Sequence, residues 1–139
     1  MKYLPNFNSP RAICISPARI TALKPSLIKT KGAVINTGIC GSSVSRVNSY
    51  IPAYSIFKHT LHHMTKTYAK EFAPYDVRVN MISPGVLETA VDKSEKSLQT
   101  PKGKQINLDE IVSLLYYLME DQACNITGQN IEVAGGYCL

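Results

Sequence analysis

Tyr54 and Lys58 are the residues whose types and spacing most directly permit chemistry in this chain. They lie four apart in the segment AYSIFKHTL. Around them Ile56, Leu61, Met64, Tyr68 and Phe72 recur at steps of three to five, so residues 53–73 are expected to form a helix. Positions i and i+4 share one helical face. A lysine cation beside a phenol favours the phenolate. A tyrosine so placed can give or take a proton at a carbonyl or alcohol near neutral pH. Taken alone, the spacing also fits an ordinary amphipathic surface helix. His59 and His63, four apart with His62 beside His63, could share a metal. No Glu or Cys completes a ligand set nearby, so a partly exposed helix face is expected there and no metal.

The elements that must hold the pair follow from composition and pattern. Ser16-Pro17 is a helix start, a capping hydroxyl followed by proline at the first helical position. That helix is expected over 17–29, with Pro25 bending or ending it near its last turn and Gly32 closing it. Residues 33–37, AVINT, read as a strand buried on both faces. A Gly/Ser loop follows with Gly38, Gly41, Ser42, Ser43 and Ser45. Beyond the Tyr54 helix, 77–82 (VRVNMI) is a strand closed by Pro84-Gly85, and 86–107 is a polar, lysine-rich loop. Residues 109–120 are an amphipathic helix led by acids, as the macrodipole favours. Residues 130–134 form a last strand before Gly135-Gly136. Residues 11–15 suit either a short strand or a helix start. This alternation predicts an α/β layer with a parallel sheet of about three strands and flanking helices. In such sheets sites form beyond the C-terminal strand ends, where the Gly/Ser and Pro-Gly loops both fall.

The 139 residues fit one domain, read as an irregular lead-in over 1–15 and a folded unit over 16–139. Apolar residues make up 45% and charged residues 18%, which excludes a disordered or low-complexity chain. No apolar run reaches the ~18 residues of a membrane span, and MKYLPNFNSPR lacks the apolar core of a secretory signal. A cytoplasmic protein without membrane attachment is expected. The net charge of +5 is mild and scattered, so no nucleic-acid partner is expected. Lys93, Lys96, Lys102 and Lys104 read as a solvated loop. The four cysteines show no C-x-x-C pairing and are expected as buried thiols, with Cys40 an inert small side chain. Tyr116 and Tyr117 are expected to pack with wet hydroxyls.

The ordered set of motifs resembles the short-chain dehydrogenase/reductase family. It comprises a buried strand and serine-bearing loop, Tyr54-x-x-x-Lys58, RVNMISPGVLET with Arg78, Val79, Asn80, Ile82, Pro84, Gly85 and Thr89, and ITGQNIEVAGG with Thr127, Gly128, Gln129, Ile131, Val133, Gly135 and Gly136. The resemblance covers residues 16–139 and implies the back half of a doubly wound Rossmann-like sheet. It implies hydride transfer between NAD or NADP and a small carbonyl or alcohol substrate. By that likeness Tyr54 is the general acid/base. Lys58 tunes it and holds the nicotinamide ribose. Pro84-Gly85 lies along the nicotinamide face, Thr89 bonds the carboxamide, and Arg78 and Asn80 support the loop. Helices 17–29 and 53–73 are the implied homo-oligomer contacts.

Three departures from the family pattern carry expectations of their own. No glycine-rich strand-turn-helix for the diphosphate is found, nor the residue that selects NAD from NADP, so the chain reads as the back half of a longer enzyme, a truncated form not expected to turn over alone. The alternative is a non-catalytic pseudoenzyme or an oligomerisation and binding module. The family's catalytic serine falls at Gly38 or Ile39, and Ser42, 12 residues before Tyr54, is the favoured substitute, with Ser43 behind it. The asparagine of the family's proton relay has no well-spaced counterpart, and Ala134 stands where an aspartate is usual.

Overall fold

The computed structural model describes residues 12–13, 17–44, 51–90, 100–137 and 139. Ser16, Ser45, Lys93 and Lys96, named above, fall outside them, as do two of the four cysteines, Cys14 and Cys138. The order is β1 (Ala12–Ile13), α1 (Pro17–Thr30), β2 (Ala33–Thr37), α2 (Pro52–Phe72), β3 (Arg78–Pro84), α3 (Leu108–Met119) and β4 (Asn130–Val133). Short 3-10 turns follow α2 and α3. The four strands form one parallel sheet in the order β1-β2-β3-β4. The sheet therefore has one strand more than expected. β1 pairs Ala12 with Val34 and Ile13 with Ile35, covering the edge of β2 from within the stretch read as lead-in.

Strand alternation sorts the core into two layers. Val34 and Val79 turn toward α1 and α2, packing with Ile20, Leu27, Ala69, Phe72 and Val77. Ile35, Ile82, Ile131 and Val133 turn toward α3, packing with Leu114, Leu118 and Met119. Each large side chain so buried contributes about 1.5–3 kcal/mol relative to exposure. On the α2 face the character changes along the strands. Val34 and Val79 give way toward the C-terminal ends to Asn36, Ser83, Asn130 and Glu132, because these positions keep the same two-residue alternation.

Three local outcomes correct or sharpen the sequence reading. α1 does not end at Pro25 but runs through it to Thr30. The proline ring is exposed while Ile20 and Leu27 are anchored in the core on either side. The left-handed residue after α1 is Lys31 (φ 50°), not Gly32; its ammonium pairs at 2.9 Å with Asp76, itself left-handed at φ 57°. The first turn of α3 carries a reciprocal cap. Asn107 accepts from the Asp109 amide at 2.8 Å, and Glu110 accepts from the Asn107 amide at 3.1 Å. No described helix is long and apolar enough to cross a membrane.

Candidate active site

The C-terminal ends of β2 and β3 carry the two loops that frame the site, and α2 starts beside them. Pro52 at the first turn of α2 sets its entry, and Tyr54 lies in that turn. Buried Ser55, Leu61, Thr65, Ala69 and Phe72 fix which face of α2 meets the sheet. Tyr54 is left 47% exposed. The Lys58 ammonium donates to the Thr37 carbonyl, the last of β2, at 2.6 Å. It lies 5.4 Å from the centre of the Tyr54 ring. Lysine has three N–H donors and Thr37 takes one, which leaves hydrogen-bonding capacity for a ligand hydroxyl.

Pro84 and Gly85 form the opposite wall. The Gly85 amide donates to the Val133 carbonyl at 2.9 Å, drawing the backbone close to β4. A Cβ at Gly85 would stand 2.9 Å from the Ala134 Cα, so only glycine permits this approach. The chain then bridges to the segment before α3, with Leu87 paired to Ile106 and Glu88 donating to the Ile106 carbonyl at 3.1 Å. Thr89 is exposed on this bridge.

Ser42 lies elsewhere. It is 3% exposed, and its hydroxyl accepts from the Asn130 carboxamide at 3.2 Å and lies 3.4 Å from the Ser83 hydroxyl. Its carbonyl lies 3.0 Å from Nδ1 of His62, two helical turns below Tyr54. The loop folds back over the sheet, so that Ser42 meets β3, β4 and the middle of α2. Gly38, one of the two positions (with Ile39) to which the resemblance assigns the family's serine, faces inward, and an added Cβ would overlap the Ser83 hydroxyl and the Met81 methyl.

The histidines hold the loop. His62 reaches Ser42, and Nε2 of His59 lies 3.2 Å from the Val44 carbonyl. Burial, with Lys66 second, pushes the His62 imidazole below its usual range. No cluster of three metal-ligating side chains occurs among the described residues. Arg78 and Asn80 act as supports. The guanidinium donates to the Leu118 and Glu120 carbonyls at the end of α3. Asn80 donates to the Ile126 carbonyl at 2.7 Å and accepts from the Gln129 amide at 3.0 Å. The cysteines depart from the expected set of buried thiols. Cys40 is disulfide-bonded, so its sulfur is already engaged, and Cys124 is free but exposed.

Sequence reasoning missed two residues that shape the site. Asn130 holds Ser42, Ser43 and Ser83, and Glu132 accepts from the Gly41 amide at 2.9 Å. The signal was present in NIEV, where two polar residues alternate with two apolar ones in a strand otherwise expected to be buried.

The family model described as enoyl-(acyl carrier protein) reductase matches residues 14–138. The chain is 31% identical over 121 residues to an NAD-dependent glycerol dehydrogenase of Listeria innocua, covering 81% of this chain and 47% of that protein. It superposes on a short chain dehydrogenase of Leptospira borgpetersenii with bound NAD+ at a TM-score of 0.72 and 26% identity, over 88% of this chain and 53% of the other. A 4-hydroxyisoleucine dehydrogenase complexed with NADH gives a TM-score of 0.70 and 33% identity, over 86% and 52%. The chain spans about half the length of the relatives it matches.

Proposed function

The chain belongs to the short-chain dehydrogenase/reductase family, and on that premise we propose that it carries the nicotinamide half of a site for hydride transfer between NAD or NADP and a small carbonyl or alcohol. The observation that carries this reading is the Tyr54–Lys58 pair. The ammonium is tied to the end of β2 and stands 5.4 Å from an exposed phenol ring.

The donor set fits the nicotinamide end of such a cofactor. Lys58 has N–H groups beyond the one Thr37 takes, and Thr89 is exposed on the bridge that follows Gly85. Among the described residues no strand passes through a tight glycine-rich turn directly into a helix N-terminus that could receive the diphosphate. Bound there, the cofactor supplies or accepts the hydride. Tyr54 donates its phenolic proton to the carbonyl oxygen as that oxygen gains charge, or takes the proton back from the alcohol. Lys58 supports the phenolate by its charge and hydrogen-bonds the ribose. Pro84-Gly85 backs the nicotinamide and Thr89 holds its carboxamide. Ser42, the third residue assigned to the chemistry, contributes by holding its loop, since its hydroxyl is engaged by Asn130.

A second reading rests on a separate observation. Gly38 is packed against Ser83 and Met81, and the Ser42 and Ser43 hydroxyls are both engaged by Asn130. Meanwhile Ile56 and Phe57 stand 66% and 53% exposed on α2. That combination suits a non-catalytic module that associates with a second copy through residues 17–29 and 53–73.

Titration with NADH and NADPH, followed by nicotinamide fluorescence, separates the two. Saturable binding that disappears in the Tyr54→Phe/Lys58→Ala double variant is the expected result. A chain that is folded by circular dichroism yet binds neither nucleotide overturns the first reading in favour of the second.

A further inference from the structure

The loop after β2 is held from two sides, by two histidines of α2 and by a carboxylate and a carboxamide of β4. Leaving Thr37, the chain first follows the end of β3. Gly38 donates to the Ile82 carbonyl at 2.8 Å and Cys40 to the Pro84 carbonyl at 3.2 Å. It then turns back at Gly41 (φ +83°) across the polar part of the sheet. From α2, His62 and His59 meet the carbonyls of Ser42 and Val44. From β4, Glu132 takes the Gly41 amide and Asn130 takes the serines.

The chemistry of Asn130 is specific. Its oxygen accepts from the Ser83 hydroxyl at 2.6 Å. Its nitrogen donates to Ser42 Oγ at 3.2 Å and Ser43 Oγ at 2.8 Å. One side chain thus joins β3 to the loop by accepting at one end and donating at the other. A carboxylate of the same shape could accept from Ser83 but could donate to neither loop serine.

We infer that Asn130, on edge strand β4 and outside the proposed chemical machinery, is a positioning residue. By pinning the Ser42–Ser43 turn it fixes loop 38–44 against the Pro84 carbonyl, and so fixes the gap between the Lys58 wall and the Pro84-Gly85 wall of the site. This rests on the proposed nicotinamide reading, because only a ligand lying between those walls would sense the gap.

The test uses the full chain and the isosteric variant Asn130→Asp. Ser42→Ala/Ser43→Ala removes the same two bonds from the loop side, should the first variant fold poorly. Ser83→Ala is the control, since it removes the bond Asn130 accepts and the long 3.4 Å contact to Ser42 but leaves both Asn130 donor bonds to the loop in place. Amide hydrogen exchange of residues 41–44 and the NADH dissociation constant are measured on each at the same temperature. Loss of the two donor bonds is expected to speed loop exchange about tenfold. NADH affinity should weaken severalfold, and Ser83→Ala should change both by less than about twofold. Unchanged loop exchange in both loop-releasing variants overturns the inference. Faster exchange with unchanged NADH affinity reduces Asn130 to a purely structural residue and also overturns it. A wild-type chain that binds no NADH refutes the nicotinamide reading itself, and the positioning role falls with it, whatever exchange shows.

Discussion

Removing the Asn80 side chain should unmake the turn that launches β4. Asn80 is fully buried on the α3 face of β3, and its carboxamide serves both ends of that turn. In Asn80→Ala the Ile126 carbonyl loses its donor and the Gln129 amide its acceptor, both in partly buried surroundings. Each orphaned group costs about 1–3 kcal/mol. The expected loss is therefore about 2–6 kcal/mol, against a total that for a domain of this size is about 5–15 kcal/mol. Asn80→Asp keeps an acceptor for Gln129 but loses the donor to Ile126 and places a carboxylate at a fully buried position. It should be at least as damaging as alanine. Urea unfolding followed by circular dichroism measures both, with the slope checked so that midpoints can be compared. If alanine costs less than about 1 kcal/mol, or aspartate is the milder change, the turn does not depend on this carboxamide as described.

Other outcomes are equally open to measurement. Gly38→Ser should destabilise by about 1–3 kcal/mol through overlap with Ser83 and Met81; a thermal midpoint at or above wild type would show that the loop can move. Asn107→Ala should cost about 1 kcal/mol by removing half of the α3 capping box, seen as a lower urea midpoint. For His62, burial and Lys66, with smaller contributions from His59 and His63, hold the folded imidazole below its ordinary value of 6.5. The unfolded chain therefore takes up the proton first, so this contribution is complete above pH 6.5 and declines as pH falls below it. Stability of wild type relative to His62→Asn should shrink on that acid side, and a difference independent of pH would refute it.

What could be read from the residues was the part set by periodicity. The spacing of Ile56, Leu61 and Phe72 placed Tyr54 and Lys58 on one helix, and the strands at 33–37, 77–82 and 130–134 were found within one or two residues. What could not be read depended on paths through space. β1 is two residues long, too short for any period, and exists because Val34 and Ile35 offer it an edge. Pro25 would end an isolated helix, yet tertiary anchoring at Ile20 and Leu27 carries α1 past it. Ser42 lies at a plausible count from Tyr54, but a count along the chain says nothing of a loop that doubles back. The grip of Asn130 and Glu132 on that loop was visible only as a polar alternation whose partners, 87 to 91 residues away, no local pattern names.

The register of the sheet also governs how the chain reaches this structure. Ala33 pairs with Arg78 and Met81 with Asn130, partners separated by more than forty residues. No described strand meets a neighbour through a tight hairpin, so each described pairing must wait for a whole helix and its loops to be drawn in. Loop-closure entropy then sets the pace, and folding is expected to be slow for a chain of this length. During that wait β2 and β3 expose apolar edges that would pair with any extended segment nearby. Early order in α1 and α2, whose contacts converge on Phe72, would shorten that interval by shielding one face of the sheet before its strands are joined.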